Sequence, residues 1–159
     1  MTNVTAIANA FAAADALTIE RNIEWALARK AAVSALRNEL QNERRAMGEF
    51  AYYARLFAAA GGKTWYNRFD GRNDAMITEL VAKLIKGNIA ARNEKIAAKL
   101  AAKGITEIGE IEYVRTQDGF QGVFIFEGAR VEIRIIGAGG YNIQCYHERT
   151  LIFVNGKKL

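Results

Sequence analysis

A chain of 159 residues that is 51% hydrophobic and 25% charged carries enough apolar material for one folded core, which excludes a wholly disordered polypeptide. Its net charge of +5 comes with no proline and a single cysteine, Cys145, so an intramolecular disulfide and a cysteine-built zinc cage are both excluded. The charge is uneven: residues 1–106 hold 16 Lys/Arg against 10 Asp/Glu, and residues 107–159 hold 6 against 7. The positive field of the first part attracts polyanions or acidic protein surfaces, and it serves solubility equally well.

Residues 2–16 read as a short alanine-rich helix with a break or cap at Leu17-Thr18. The first basic side chain is Arg21 and Asp15 interrupts the apolar run, so no signal peptide is expected there. No apolar segment reaches the length of a membrane span. With one cysteine, the expected setting is the cytoplasm. From 19 to 60 the pattern is helical. Val33, Leu36, Leu40, Met47, Phe50, Ala54 and Phe57 alternate spacings of three and four across a polar slot at Glu43, a heptad-like seam. That seam suits an internal partner helix or a dimer, so the chain is expected to be a monomer or a dimer. Gly48 marks a candidate bend.

Gly61-Gly62 is a helix stop, and Asn73 or Asp74 can cap the next helix. That helix runs to about Gly104, with Met76, Ile77, Leu80, Val81, Leu84, Ile85, Ile89, Ile96 and Leu100 on its apolar face. The two long helices are expected to form an antiparallel hairpin. After Gly104 the apolar period falls to two, and strands are expected at 111–115, 120–126, 131–135 and 141–154. Gln117-Asp118-Gly119 and Glu127-Gly128-Ala129 read as turns, and Phe120, Phe124 and Phe126 share a face. The expected fold is α+β in a single domain, 1–159. An N-terminal helical hairpin in the helical half, 1–104, packs with a four-stranded antiparallel sheet in the β half, 105–159.

Several motifs point to chemistry and then fail on spacing. Gly62-Lys63-Thr64 resembles the end of a P-loop, but Phe57 stands where the earlier glycine belongs and a helix, not a strand, precedes it. Gly137-Ala138-Gly139-Gly140-Tyr141-Asn142 has two glycines of a dinucleotide fingerprint, but Asn142 replaces the third and a strand follows. Cys145 and His147, two apart on a strand, would stand roughly 7 Å apart, too far for a thiol and its base. Asp118 with Glu132-Ile133-Arg134 suggests the acid and acid-x-lysine pattern of metal-dependent nucleases, but an arginine cannot serve as the base. No catalytic residue, metal site or cofactor is therefore assigned.

Two features point to binding. The stretch at 63–72 sets Trp65, Tyr66 and Phe69 among Lys63, Arg68 and Arg72. Such a set can stack on bases while meeting phosphates, form a protein hot spot, or staple helices together. Arg92, Lys95, Lys99 and Lys103 fall on one side of the second long helix, a secondary basic stripe or a solvated face. At Arg68-Phe69-Asp70-Gly71-Arg72-Asn73-Asp74-Ala75-Met76 and at Gly139-Gly140-Tyr141-Asn142-Ile143-Gln144-Cys145, the chain resembles small accessory proteins of tailed bacteriophages. The resemblance covers about residues 65–154 and implies a context, not an activity: a product of the bacterial cytoplasm that binds host machinery. The expected function is non-catalytic binding of a host or phage protein that handles nucleic acid. Direct nucleic-acid binding is the runner-up, a metal-dependent nuclease the third reading, and no membrane partner is expected.

Overall fold

The computed structural model describes residues 2–137 and 149–159. Five helices come first: α1 (Asn3–Leu40), α2 (Arg44–Met47), α3 (Glu49–Ala60), α4 (Lys63–Phe69) and α5 (Asp74–Ala101). Five strands follow: β1 (Glu112–Thr116), β2 (Gly119–Phe126), β3 (Ala129–Ile136), β4 (Arg149–Val154) and β5 (Lys157–Lys158). The strands form one antiparallel sheet in the order β1-β2-β3-β4-β5, so the fold is α+β. The chain divides into two compact units. Unit 1 joins Met1–Arg21 to Leu84–Leu159, and unit 2 is Asn22–Lys83. The sheet-bearing unit thus draws on both the helical and the β half of the sequence.

Unit 1 is built on the inner face of the sheet. Phe120, Phe124, Val131, Ile133, Ile135 and Ile152 alternate onto that face. The start of α1 brings Ile7, Phe11 and Ala14 against them, and the end of α5 brings Ile96 and Leu100. Burying each of the Val, Leu, Ile and Phe side chains among these stabilises the fold by about 1.5–3 kcal/mol. Phe11 stacks on Phe120 at 5.2 Å and lies over Gly122, where an added Cβ would come within 2.7 Å of the Phe11 ring and of Ile111. Gly122 is therefore a space requirement of the α1–sheet contact.

The expected break at Leu17-Thr18 does not occur. Thr18 is buried and its hydroxyl donates to the Ala14 carbonyl at 3.0 Å, so its polar group is satisfied inside a continuous α1. The expected helix from 19 to 60 is instead cut twice, after Leu40 and at Gly48, whose φ of +87° is left-handed. The cuts reset the helical phase. Val33 and Leu40 are buried as the seam requires, but α3 turns Tyr52, Leu56 and Ala60 inward, and Phe50 is 91% exposed. The segment after Gly62 coils into α4, and the Asn73 side chain caps α5 by accepting from the Met76 N–H at 2.9 Å.

The β1–β2 turn uses Gln117 and Asp118, with Gly119 already paired to Thr116. A Cβ at Gly119 would run into the Ile135 carbonyl, so this glycine serves close strand approach and not the turn. The fifth strand was not expected. Asn155 and Gly156, both at positive φ, form a two-residue hairpin turn between Val154 and Lys157. The part of the expected last strand before Arg149 lies outside the described residues.

Replacing Gly122 by Ala should lower stability by about 1–3 kcal/mol through overpacking. Phe11→Leu should recover part of that loss in the double variant, so the two changes couple in urea denaturation. Additive effects would show that Phe11 does not set the limit at this position.

Candidate functional site

The sequence-predicted cluster at 63–72 lies in unit 2, and its aromatic residues face inward. Trp65 and Tyr66 are each 7% exposed and Phe69 is 5% exposed. Trp65 meets Trp25 edge-on at 5.1 Å and Phe69 at 5.4 Å. Tyr66 packs on Phe57 at 5.0 Å and Tyr53 at 6.2 Å. Arranged edge-to-face and tilted, these rings are each worth about 0.5–1.5 kcal/mol beyond their buried area. Trp25 also closes over Gly61, leaving no room for a Cβ there. The rings thus build the core of a helical unit and offer no free faces to a base.

The cations of the cluster are half-used. Arg68 covers the Trp65 ring at 5.0 Å, and Arg72 donates to the Arg68 carbonyl. Lys63 is exposed at the start of α4. Arg37, not expected from the sequence, donates to the Tyr66 hydroxyl and pairs with Asp70 at 3.3 Å. Partial burial lowers the Arg37 pKa, but the hydrogen bonds to Tyr66 and Asp70 outweigh it, and the net shift is upward. Lys30 pairs with Asp74 at the start of α5. Together Lys30, Arg37 and Arg72 edge a hollow of about 260 Å³ in unit 2. Two of these three cations are held by aspartates.

In unit 1 the basic stripe splits. Arg92 turns inward and is 7% exposed. Its guanidinium makes a fork with Asp15, Nη1 to Oδ1 at 2.9 Å and Nη2 to Oδ2 at 2.8 Å, and also donates to the Asn93 side-chain oxygen. Its Cζ lies 5.9 Å from the Phe11 ring and 5.8 Å from the Phe120 ring. Arg92 is therefore a structural residue, not part of a phosphate-tracking stripe. Lys95, Lys99 and Lys103 remain exposed. The signal for this pair was present in the sequence: Asp15 breaks an apolar face and needs a buried partner.

The outer face of the sheet carries a second polar arrangement. Glu132, 9% exposed, accepts from Gln121 at 3.2 Å and Arg134 at 3.3 Å and lies 3.7 Å from Arg130. Arg134 in turn covers Phe153 at 4.6 Å. Val114 and Ile125 are 46% and 63% exposed on the same face. Asp118 accepts from the Thr116 hydroxyl in the β1–β2 turn. Glu132 pairs across to Val123, five residues from Asp118, which sets the two carboxylates about 16 Å apart along the strand. They cannot share one ion. Among the described residues no three His, Cys, Asp or Glu side chains gather where they could hold a metal. Gly139, Gly140, Cys145 and His147 lie outside the described residues.

Gly62-Lys63-Thr64 opens a seven-residue helix that follows another helix, so no strand aims its backbone at a phosphate. Among the described residues no helix is long and apolar enough to cross a membrane. Comparison with protein-family models, curated proteins and solved structures finds no match for this chain.

Two substitutions separate packing from surface roles. Trp65→Ala should cost about 3–5 kcal/mol, the range for a large buried aromatic. Arg68→Ala should cost less than about 1 kcal/mol, because a partly exposed cation over a ring contributes little. For the buried pair, Asp15→Asn or Arg92→Met alone should cost about 3–5 kcal/mol, while the double change Asp15→Leu/Arg92→Met recovers most of it. Thermal melts of the five variants check both statements.

Proposed function

We propose that this chain is a non-catalytic binding protein, and that its partner is another protein, one that itself handles nucleic acid. The phage-type resemblance supports the setting: an accessory product in the bacterial cytoplasm that binds and modulates a host or phage protein. The observation that carries the binding reading is the outer sheet face. Exposed aliphatic residues scattered singly are ordinary. Here Ile125 pairs directly with Arg130, and Val114 pairs with Gln121, itself paired with Arg134. Apolar side chains set among arginines match the composition of interface centres.

A protein partner is favoured over a nucleic acid by the state of the aromatics. Base stacking needs a bare ring. Trp65, Tyr66 and Phe69 are buried, and Phe153 lies beneath Arg134. Direct nucleic-acid binding, the alternative, loses the 63–72 cluster as a stacking surface and keeps the exposed Phe50 and the surface cations. The two differ in salt response: a nucleic-acid complex weakens steeply with salt, a protein complex modestly.

Affinity capture from nuclease-treated bacterial lysate, followed by titration of the captured protein, tests the reading. Ile125→Asp should weaken binding by about 1–3 kcal/mol, and Arg130→Ala by a similar amount, with melting temperatures unchanged. Loss of all capture after nuclease treatment would favour the nucleic-acid alternative. Undiminished binding by an Ile125→Asp/Arg130→Ala double variant would remove this face as the site.

A further inference from the structure

The sheet ends in two unlike edges. At one end β5 is two residues long, both of them exposed lysines, a short charged edge of the kind that resists strand addition. At the other end β1 is five residues long, with an unbroken register against β2 and no proline, lysine or bulge. Glu112, Tyr113, Val114 and Arg115 are exposed, and among the described residues no strand pairs with the far side of β1.

The ladder fixes which backbone groups that edge offers. Gln117 and Asp118 form a two-residue turn, so Thr116 and Gly119 exchange both their hydrogen bonds. Alternation from there directs the N–H and C=O of Val114 and Glu112 to β2, and those of Arg115 and Tyr113 away from it. The side chains of β1 are complementary to themselves. Two copies of one strand related by a two-fold axis pair antiparallel only about a residue that faces its own copy. Centred on Val114, the pairing sets Tyr113 against Arg115 of the second copy on both sides, so the outward backbone groups bond to one another. Glu112 then faces Thr116, and no like charges are opposed. Each Arg115 meets a Tyr113 ring steadied by Phe11 at 6.5 Å and Phe120 at 6.1 Å. A pairing centred on Tyr113 sets Arg115 against Ile111 and Glu112 against Val114, a charge on an apolar side chain each time.

We propose that β1 pairs with β1 of a second copy of this chain, antiparallel and centred on Val114. The pairing joins two five-stranded sheets into one, closes as a two-fold dimer, and leaves only the lysine edges open. It does not rest on the binding of a different protein by Ile125 and Arg130.

Sedimentation equilibrium of the full chain, from micromolar to millimolar concentration, should show a reversible monomer–dimer equilibrium. Amide exchange reads the contact: the Tyr113 and Arg115 N–H groups should be slow in the dimer and fast in the monomer, while the Val114 N–H, bonded to β2, is slow in both. Arg115→Pro removes an outward N–H and leaves the β1–β2 bonds in place, so the monomer should keep its melting temperature while the dimer dissociation constant rises about tenfold or more. If proline perturbs the fold, Val114→Lys, which sets like charges face to face across the axis, serves with the same expected loss, relieved by salt. A monomer at every concentration, a dimer left intact by these variants, or free exchange of the Tyr113 and Arg115 amides within the dimer would overturn the proposal. Protection of those two amides only on addition of a captured protein would assign the edge to a strand of that protein and overturn it as well.

Discussion

The structure of unit 1 turns on the ion pair between Asp15 and Arg92. An unpaired carboxylate buried in an alanine-rich helix would be strongly unfavourable. Arg92 answers it with a two-point fork and fills further donor capacity with Asn93. An apolar pair of the same shape could stabilise the unit as well. What the charges add is alignment. Alanine-rich helices can slide past one another by a turn with little loss of apolar contact, whereas Asp15 and Arg92 are satisfied at one register only.

That constraint also divides the labour along α5. One side of the helix supplies Ile96 and Leu100 to the core and Arg92 to the pair. The adjoining side leaves Lys95 and Lys99 in water. A basic stripe that looks continuous at helical spacing is therefore two populations of cation, one held in a buried ion pair and one exposed. The same separation holds on the sheet, where Glu132 is enclosed by its neighbours while Ile125, two strands positions from a buried Val123, faces solvent.

Period-two alternation made the sheet legible from the residues alone. Phe120, Phe124, Val131, Ile133 and Ile135 face the core as their spacing predicts. Helix existence was equally legible; helix phase was not. The seam through Phe50, Ala54 and Phe57 assumed an unbroken helix, and the left-handed Gly48 rotates the face that follows it. The Asn155-Gly156 turn carries a short hairpin signal that the expected strands do not use, and only two residues of strand follow it. The aromatic cluster at 63–72 could be read as surface or staple from composition, since both uses favour the same residue types. Trp25, nearly forty residues earlier in the chain, decides between them by closing over Gly61 and Trp65. A contact of that separation leaves no local pattern.

The route of the chain has a consequence for synthesis. Unit 2 is one continuous segment, whereas unit 1 needs residues from before and after it. Phe11 finds Phe120 only after 109 further residues have been made, an interval of about 5–20 s at ordinary translation rates. Until then Ile7 and Phe11 have no sheet to cover. Asn22–Lys83 can collapse on its own aromatic core in the meantime. The nascent chain thus carries a finished helical unit and an exposed apolar arm, and that arm is the segment a chaperone would hold.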